Sequence, residues 1–329
     1  MEKKTAGIII AIVIIIALIG GYVYFAHPDE ITVKIGYLPS DHDSALFVAQ
    51  SQKLYEAQGI NVETSQFNNG GDLMTAMASS DIDIGYLGVT PALSSISKGV
   101  PIKIISGAQM EGSGIVVAKN SSINSIADLK GKKVATPGEA SIQYMLLDYA
   151  LNKENINISE VNPSAMKVAQ MNDALRTGKL DAIVTYEPYA SIATNAGYGK
   201  LLENSSEIIP DHPCCVVVAS DKFIKEHPKE LKSILAIHEN ATKYVNEHPN
   251  DAAKLLPSDI VPNATLEGQI LSNINFVSGL NDSYKKSVMD FINYIVFIIL
   301  KKVIFIYYFN LSYYYKSIFT NNNFNIIFL

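Results

Sequence analysis

Six short loops carry the residues best able to do chemistry. Pro39-Ser40-Asp41-His42 follows Ile31–Leu38, a run that alternates apolar and polar residues as a strand does. Asn68-Asn69-Gly70-Gly71-Asp72 follows Asn61–Phe67, and Gly88-Val89-Thr90 follows Ile82–Leu87. Gln109-Met110-Glu111-Gly112-Ser113 follows Ile102–Ala108, Pro137-Gly138-Glu139-Ala140-Ser141 follows Lys132–Thr136, and Tyr186-Glu187-Pro188 closes Leu180–Tyr186. Each loop lies beyond the carboxyl end of a predicted strand, where open α/β sheets hold ligands. The candidate contacts are Ser40, Asp41, His42, Asn69, Gly70, Gly88, Thr90, Gln109, Glu111, Gly138, Glu139, Ser141, Tyr186 and Glu187. Their chemistry is that of binding. Glycines let backbone N–H groups approach a ligand, helix N-termini favour anionic groups, and Tyr186 offers a flat apolar wall. No phosphate-binding loop, nucleophile elbow or metal motif is present, so neither a catalytic residue nor a cofactor is expected.

Several of these residues have simpler readings. Gly70-Gly71 can be a tight turn with Asp72 as a helix cap, and Thr90-Pro91 reads as an N-cap and first helical residue. Asp41-His42-Asp43 suggests a metal triad, but the three face different ways along the chain and lack a partner cluster, so no metal is expected. Adjacent Cys214 and Cys215 can bridge only through a strained ring and fall short of a zinc pattern. They read as small apolar residues opening a strand, and His212-Pro213 as the turn before it. The loops are rich in carboxylates (Asp41, Glu111, Glu139, Glu187), whereas Arg176, the only arginine, is in none of them. A sulfonate buried among carboxylates is disfavoured unless they point away. A neutral or cationic heterocycle, such as an aminopyrimidine paired to Glu and stacked on Tyr186, fits at least as well.

Elements of an α/β protein position these loops. Predicted strands alternate with helices over Asp43–Gln58, Gly70–Met77 and Ile142–Asn152, a rhythm that implies parallel pairing through right-handed crossovers. Ser164–Ala169 and Cys214–Ala219 read as further strands, and Met171–Thr177 as a short helix. From Asp221 the pattern turns helical: Phe223–His227, Glu230–Glu247, Asp251–Leu256 and Leu266–Asn275. The 329 residues suffice for one large or two medium domains, and the net charge of −6 gives no reason to expect a nucleic-acid partner.

Lys3 and Lys4 precede Ala6–Ala26, an uncharged stretch long enough to cross a bilayer, and Asp29-Glu30 follow it. The stretch exceeds the apolar part of a cleaved leader and has no good cleavage site. It predicts a membrane anchor, with an export signal as the alternative, over residues 1–30, and the remainder outside the cell. Seven Asn-x-Ser/Thr sequons agree with an exported surface. After Asp290 the chain contains no Ala, Gly, Pro, Asp, Glu or Arg. Lys301-Lys302 make a second span costly, so residues 294–329 are expected to lie outside the fold, as out-of-frame translation of AT-rich DNA would.

Six stretches carry a resemblance: KIGYLPSDHDSALFVAQ (34–50), NNGGDLMTAMASSDIDIGYLG (68–88), GVPIKIISGAQMEGSG (99–114), SIADLKGKKVATPG (125–138), MNDALRTGKLDAIVTYEP (171–188) and FIKEHPKELKSIL (223–235). In order and content they resemble the nitrate/sulfonate/bicarbonate/taurine class of ABC-importer substrate-binding proteins, in an archaeal type with an N-terminal anchor. That class includes relatives of thiamine-pyrimidine synthase. The resemblance implies the type II periplasmic-binding-protein fold, with lobe one at 31–116, lobe two at 117–218 and a mostly helical return to lobe one at 219–293. It further implies a small-molecule solute, an ABC permease with its ATPase as partners, and no enzymatic activity. An enzyme on the same fold is the alternative.

Overall fold

The computed structural model describes residues 31–161, 163–304 and 327–329. The predicted anchor and most of the C-terminal tail therefore lie outside the described residues. Among those described, no helix is long and apolar enough to cross a membrane.

The chain first lays down β1 (Thr32–Tyr37), β2 (Asn61–Gln66), β3 (Ile84–Gly88) and β4 (Ile102–Met110). It then crosses to a second sheet with β5 (Ser113–Ala118), β6 (Val134–Thr136), β7 (Ser164–Ala165), β8 (Ala182–Tyr186) and β9 (Gly199–Asn204). β10 (Pro213–Ser220) and β11 (Asn275–Phe276) return to the first. The first sheet runs β11-β4-β10-β3-β1-β2, with β1 parallel to β2 and β3 and β10 antiparallel to β3 and β4. The second runs β7-β6-β8-β5-β9. Strands buried on both faces read as continuous apolar runs, and the all-buried β10 does so. Val33, Ile35, Ile84, Leu87, Val216 and Val218 are fully buried in the first sheet, and Ile115, Val117, Ala182 and Ile183 in the second.

Two segments cross between the sheets, and they run side by side. Glu111-Gly112 carries the chain out, and Ile209–His212 brings it back. The Glu111 N–H donates to the His212 carbonyl at 3.1 Å, and the Asp211 N–H donates to Glu111 Oε1 at 2.8 Å. Glu111 and Gly112 both have positive φ, at 58° and 72°. The crossings thus fall just before Ser113 and Pro213, a few residues ahead of the lobe limits expected at 116/117 and 218/219. Turn residues make the crossings, whereas the expected limits came from the resemblance.

Further packing comes from the C-terminal region. The helix Asp282–Ile304 packs into the fold: Tyr284, Val288, Phe291 and Ile292 are buried, and the Phe291 ring stacks on His212 at 5.9 Å between centroids. Beyond the undescribed stretch, Ile327 and Phe328 are buried. Phe328 bridges Ile104 of β4, and the Leu329 N–H donates to the Ile104 carbonyl at 3.1 Å. β11 covers only the far end of β4, at Gln109 and Met110, so the backbone at Ile104 is left for another segment to pair.

Candidate functional site

A cavity of about 210 Å³ lies between the two sheets and is lined from both sides. Helix N-termini build much of its wall. Asn69 caps the helix Gly70–Ala78, its side chain accepting from the Asp72 N–H at 2.9 Å. Gly88 caps Val89–Ser97. From the other lobe, Ser141 caps Ile142–Lys153 by accepting from the Tyr144 N–H at 3.1 Å. Ser40 caps the short turn Asp41–Asp43 through the His42 N–H. Three helices of eight residues or more therefore direct the positive ends of their dipoles at one small space. Gly70 is required by close approach: a Cβ there would sit 2.5 Å from Pro91 Cγ, inside contact distance.

Nine of the residues named from sequence line this cavity: Ser40, His42, Asn69, Gly70, Gly88, Gly138, Glu139, Ser141 and Tyr186. Tyr186 is buried and its ring lies 5.8 Å from that of His42. The other five are placed elsewhere. Thr90 is one residue into its helix, with its hydroxyl buried outside the cavity lining. Gln109 is fully buried, and its amide donates to the Glu111 carbonyl at 2.8 Å, bracing the outgoing crossing. Glu111 accepts from the return segment. Glu187 accepts from the Ser191 N–H and hydroxyl, both at 2.9 Å, in the first turn of the helix Tyr189–Asn195. Asp41 is wholly buried, with its carboxyl against that of Glu267.

The carboxylates thus sort by position. Glu139 is exposed at the cavity mouth. Asp41 and Glu187 belong with Glu267 to a buried acidic cluster beside the cavity. Burial, then the Glu267 charge, push Asp41 well above the ordinary carboxylate range, and burial raises Glu187. Burial lifts Glu267 to about 7. Among the four loop acids named from sequence, only Glu139 lines the cavity, so fewer carboxylates face a ligand than the loop composition suggested. Asp43, weighed from sequence only as part of a metal triad, also lines it; burial raises its pKa to about 7 although the Leu38 N–H donates to it at 3.0 Å. Among the described residues, no Lys or Arg is in the lining. Arg176 instead pairs with Asp173 on an exposed helix.

The residues that sequence reasoning missed are chiefly Cys214, Cys215 and Gln143. The cysteines do open a strand, as read, but that strand is antiparallel. Its first residues therefore lie at the carboxyl edge of its neighbours, and Cys215 sits opposite Gly88. A search restricted to carboxyl ends of strands passes over an antiparallel strand's beginning. Gln143 is in the first turn of its helix, and its amide donates to the Ser113 hydroxyl at 2.9 Å.

Two α/β lobes, joined by two neighbouring crossings and sharing a small cavity, define a solute-binding protein of the type II periplasmic-binding fold. The chain belongs to the NMT1-like family, which it matches over residues 26–256. It is 28% identical over 222 residues to a Bacillus subtilis (strain 168) protein whose name offers aliphatic sulfonates as its ligand, covering 67% of this chain and 65% of the relative. It is 23% identical over 243 residues to a 4-amino-5-hydroxymethyl-2-methylpyrimidine phosphate synthase of Saccharomyces cerevisiae, covering 69% of this chain and 70% of that enzyme. The alkanesulfonate-binding protein SsuA from Xanthomonas axonopodis pv. citri, solved with MOPS, superposes with a TM-score of 0.72 at 20% identity, over 81% of this chain and 93% of the other.

Proposed function

We propose that this protein is the extracytoplasmic capture subunit of an ABC importer, held at the cell membrane by the apolar stretch Ala6–Ala26. It closes its lobes on a small solute and presents the closed form to a permease and its ATPase. The observation that carries this reading is the cavity itself, closed in by both lobes and walled by three helix N-termini without a cationic side chain. Such a site binds a small anion through backbone N–H groups and hydroxyls, with the helix dipoles in place of an arginine. Its volume suits a solute smaller than most drug-sized ligands. We read the solute class as nitrate, sulfonate or taurine, in keeping with the sulfonate-binding relatives.

A second reading is supported by the Tyr186 ring and by the pyrimidine-synthase relative: an aminopyrimidine lying against Tyr186 with its amino group toward the Asp43 or Glu139 carboxylate. Titration calorimetry of the purified protein with taurine, nitrate and 4-amino-5-hydroxymethyl-2-methylpyrimidine separates the two. Binding of an anion, recovered unchanged afterwards, supports capture for import; binding of the pyrimidine alone transfers support to the second reading. Conversion of any bound compound overturns the non-enzymatic assignment.

A further inference from the structure

His42 meets Cys214 and Cys215 in the cavity wall although 172 residues separate it from the nearer cysteine. Cys215 Sγ lies 3.4 Å and Cys214 Sγ 3.7 Å from His42 Nδ1, and the two sulfurs are 3.8 Å apart. All three side chains are buried, and the two cysteines are not disulfide-bonded. Neighbouring residues of a regular strand point to opposite faces. Here the pairing of β10 with β4 slips on both sides of Cys215, and such an irregularity can re-aim a side chain. It lets both sulfurs reach one imidazole nitrogen.

The spacing is that of a coordination sphere. A cation held tetrahedrally at about 2.05 Å from an imidazole nitrogen and about 2.3 Å from two thiolates keeps nitrogen and sulfur about 3.6 Å apart and the sulfurs about 3.8 Å apart. The three observed separations stand within about 0.2 Å of those values without any side chain moving. A chain of hydrogen bonds, Cys215 Sγ donating to Cys214 Sγ and one thiol to Nδ1, also joins the three groups, but it does not itself require these tetrahedral separations.

The imidazole is also oriented as a ligand. His42 Nε2 lies 3.0 Å from the Gly112 carbonyl, which can only accept, so Nε2 carries the proton and Nδ1 presents its lone pair to the sulfurs. Metal-bound histidines are held in this way by a carbonyl or carboxylate behind the ring. Gly112 is suited to the place: its φ is +72°, and a Cβ there would stand 2.7 Å from His42 Nε2.

From this geometry we infer that His42, Cys214 and Cys215 form a binding site for zinc(II). Nδ1 and two thiolates supply three positions, and the fourth faces the cavity, open to water or to a donor atom of whatever occupies it. Binding displaces the thiol protons to solvent. One nitrogen and two sulfur donors in tetrahedral disposition favour zinc among the common divalent ions.

The test uses the purified chain, reduced, stripped with chelator and dialysed against zinc sulfate. Elemental analysis should find close to one zinc per chain. Cobalt(II) in its place should give a near-ultraviolet thiolate-to-cobalt charge-transfer band that falls by about half in Cys215→Ser. Second-sphere changes at metal sites cost roughly 10–100-fold in affinity, so loss of a direct ligand in Cys214→Ser or Cys215→Ser should weaken zinc binding at least that far. Should neither variant fold, alkylation of the wild-type thiols supplies the readout, and bound zinc should slow it. The proposal is overturned by stoichiometric absence of zinc, by retention at wild-type affinity in a folded Cys215→Ser variant, or by wild-type thiols that alkylate equally fast with zinc present.

Discussion

The Ser40 hydroxyl donates to the main-chain carbonyl of Glu187 at 3.1 Å, and so joins the carboxyl end of β1 to the carboxyl end of β8, one strand from each sheet. Among the described residues this is a direct tie between lobes at the cavity wall, made by a hydroxyl that also caps the Asp41–Asp43 turn. Ser40→Ala removes both bonds. A net hydrogen bond contributes about 0.5–1.5 kcal/mol, so closure should weaken and solute affinity fall by roughly 2–12-fold. Calorimetry with taurine, or with whichever of the three test solutes binds, measures this. Affinity equal to wild type would show that the tie does not hold the closed form.

Two buried groups make opposite demands on pH. Glu267 titrates near 7 in the folded chain, against 4.5 ordinarily, because burial disfavours its charge. The native state then holds the extra proton between about 4.5 and 7, and stability falls as pH rises through that window. His238 is wholly buried, with Nδ1 3.2 Å from the Tyr86 hydroxyl and Nε2 2.9 Å from the Gly107 carbonyl. Burial lowers it from 6.5 to about 4. There the unfolded state binds the proton, so stability is complete above about 6.5 and is lost as pH falls toward 4. Denaturant unfolding at pH 5 and pH 7.5 should show Glu267→Gln gaining relative to wild type at the higher pH, on the order of 2 kcal/mol. His238→Gln should gain relative to wild type at the lower pH. A Glu267→Gln profile parallel to wild type would mean that the carboxyl is not raised.

Phe328 and Ile327 tie the end of the chain to β4, with Lys285 Nζ 5.7 Å from the Phe328 ring centre. Composition gave every reason to set this region aside, since residue types say nothing of a strand edge waiting 220 residues earlier. If the docking holds in solution, Phe328→Ala should cost roughly 3 kcal/mol, read as a lower denaturation midpoint. No change would restore the expectation that the tail lies outside the fold, and mass analysis of the C-terminal peptide would then show whether the cell makes it.

Much of the site was legible in sequence because its signals are local. Asn69 and Ser141 are caps followed by helical runs, and a cap at the carboxyl end of a strand falls on the cleft by topology alone. What failed was orientation. Glu111 and Glu187 share those loops but turn away, one toward the Asp211 amide and the other to its own helix. Nothing in a loop's composition says which way a carboxylate faces. Strand lengths suffered similarly: Ser164–Ala169 read as one strand, but only Ser164–Ala165 pairs before the helix Val168–Arg176 begins. Val168 and Met171 point to the core from that helix, and a short apolar run fits either period.

Gly88 of one lobe faces Ile142 of the other. A Cβ at Gly88 would lie 3.3 Å from the Ile142 side chain, tighter than ordinary contact but open enough for a small adjustment. The backbone there has φ −62°, so a larger residue meets no conformational objection and the effect of substitution is confined to the space between the lobes. Gly88→Val places two further methyl groups into that gap. Overpacking costs about 1–3 kcal/mol, and here the strain can be relieved by opening the lobes, leaving each lobe's own core intact. The variant should therefore keep a wild-type unfolding midpoint to within a few degrees, lose roughly 10-fold or more in solute affinity, and show a larger radius of gyration by small-angle scattering when solute is present. If affinity falls while the radius stays at the wild-type value, Gly88 acts by touching the solute and not by setting closure. If affinity is unchanged, the cavity between the lobes is not where the solute binds.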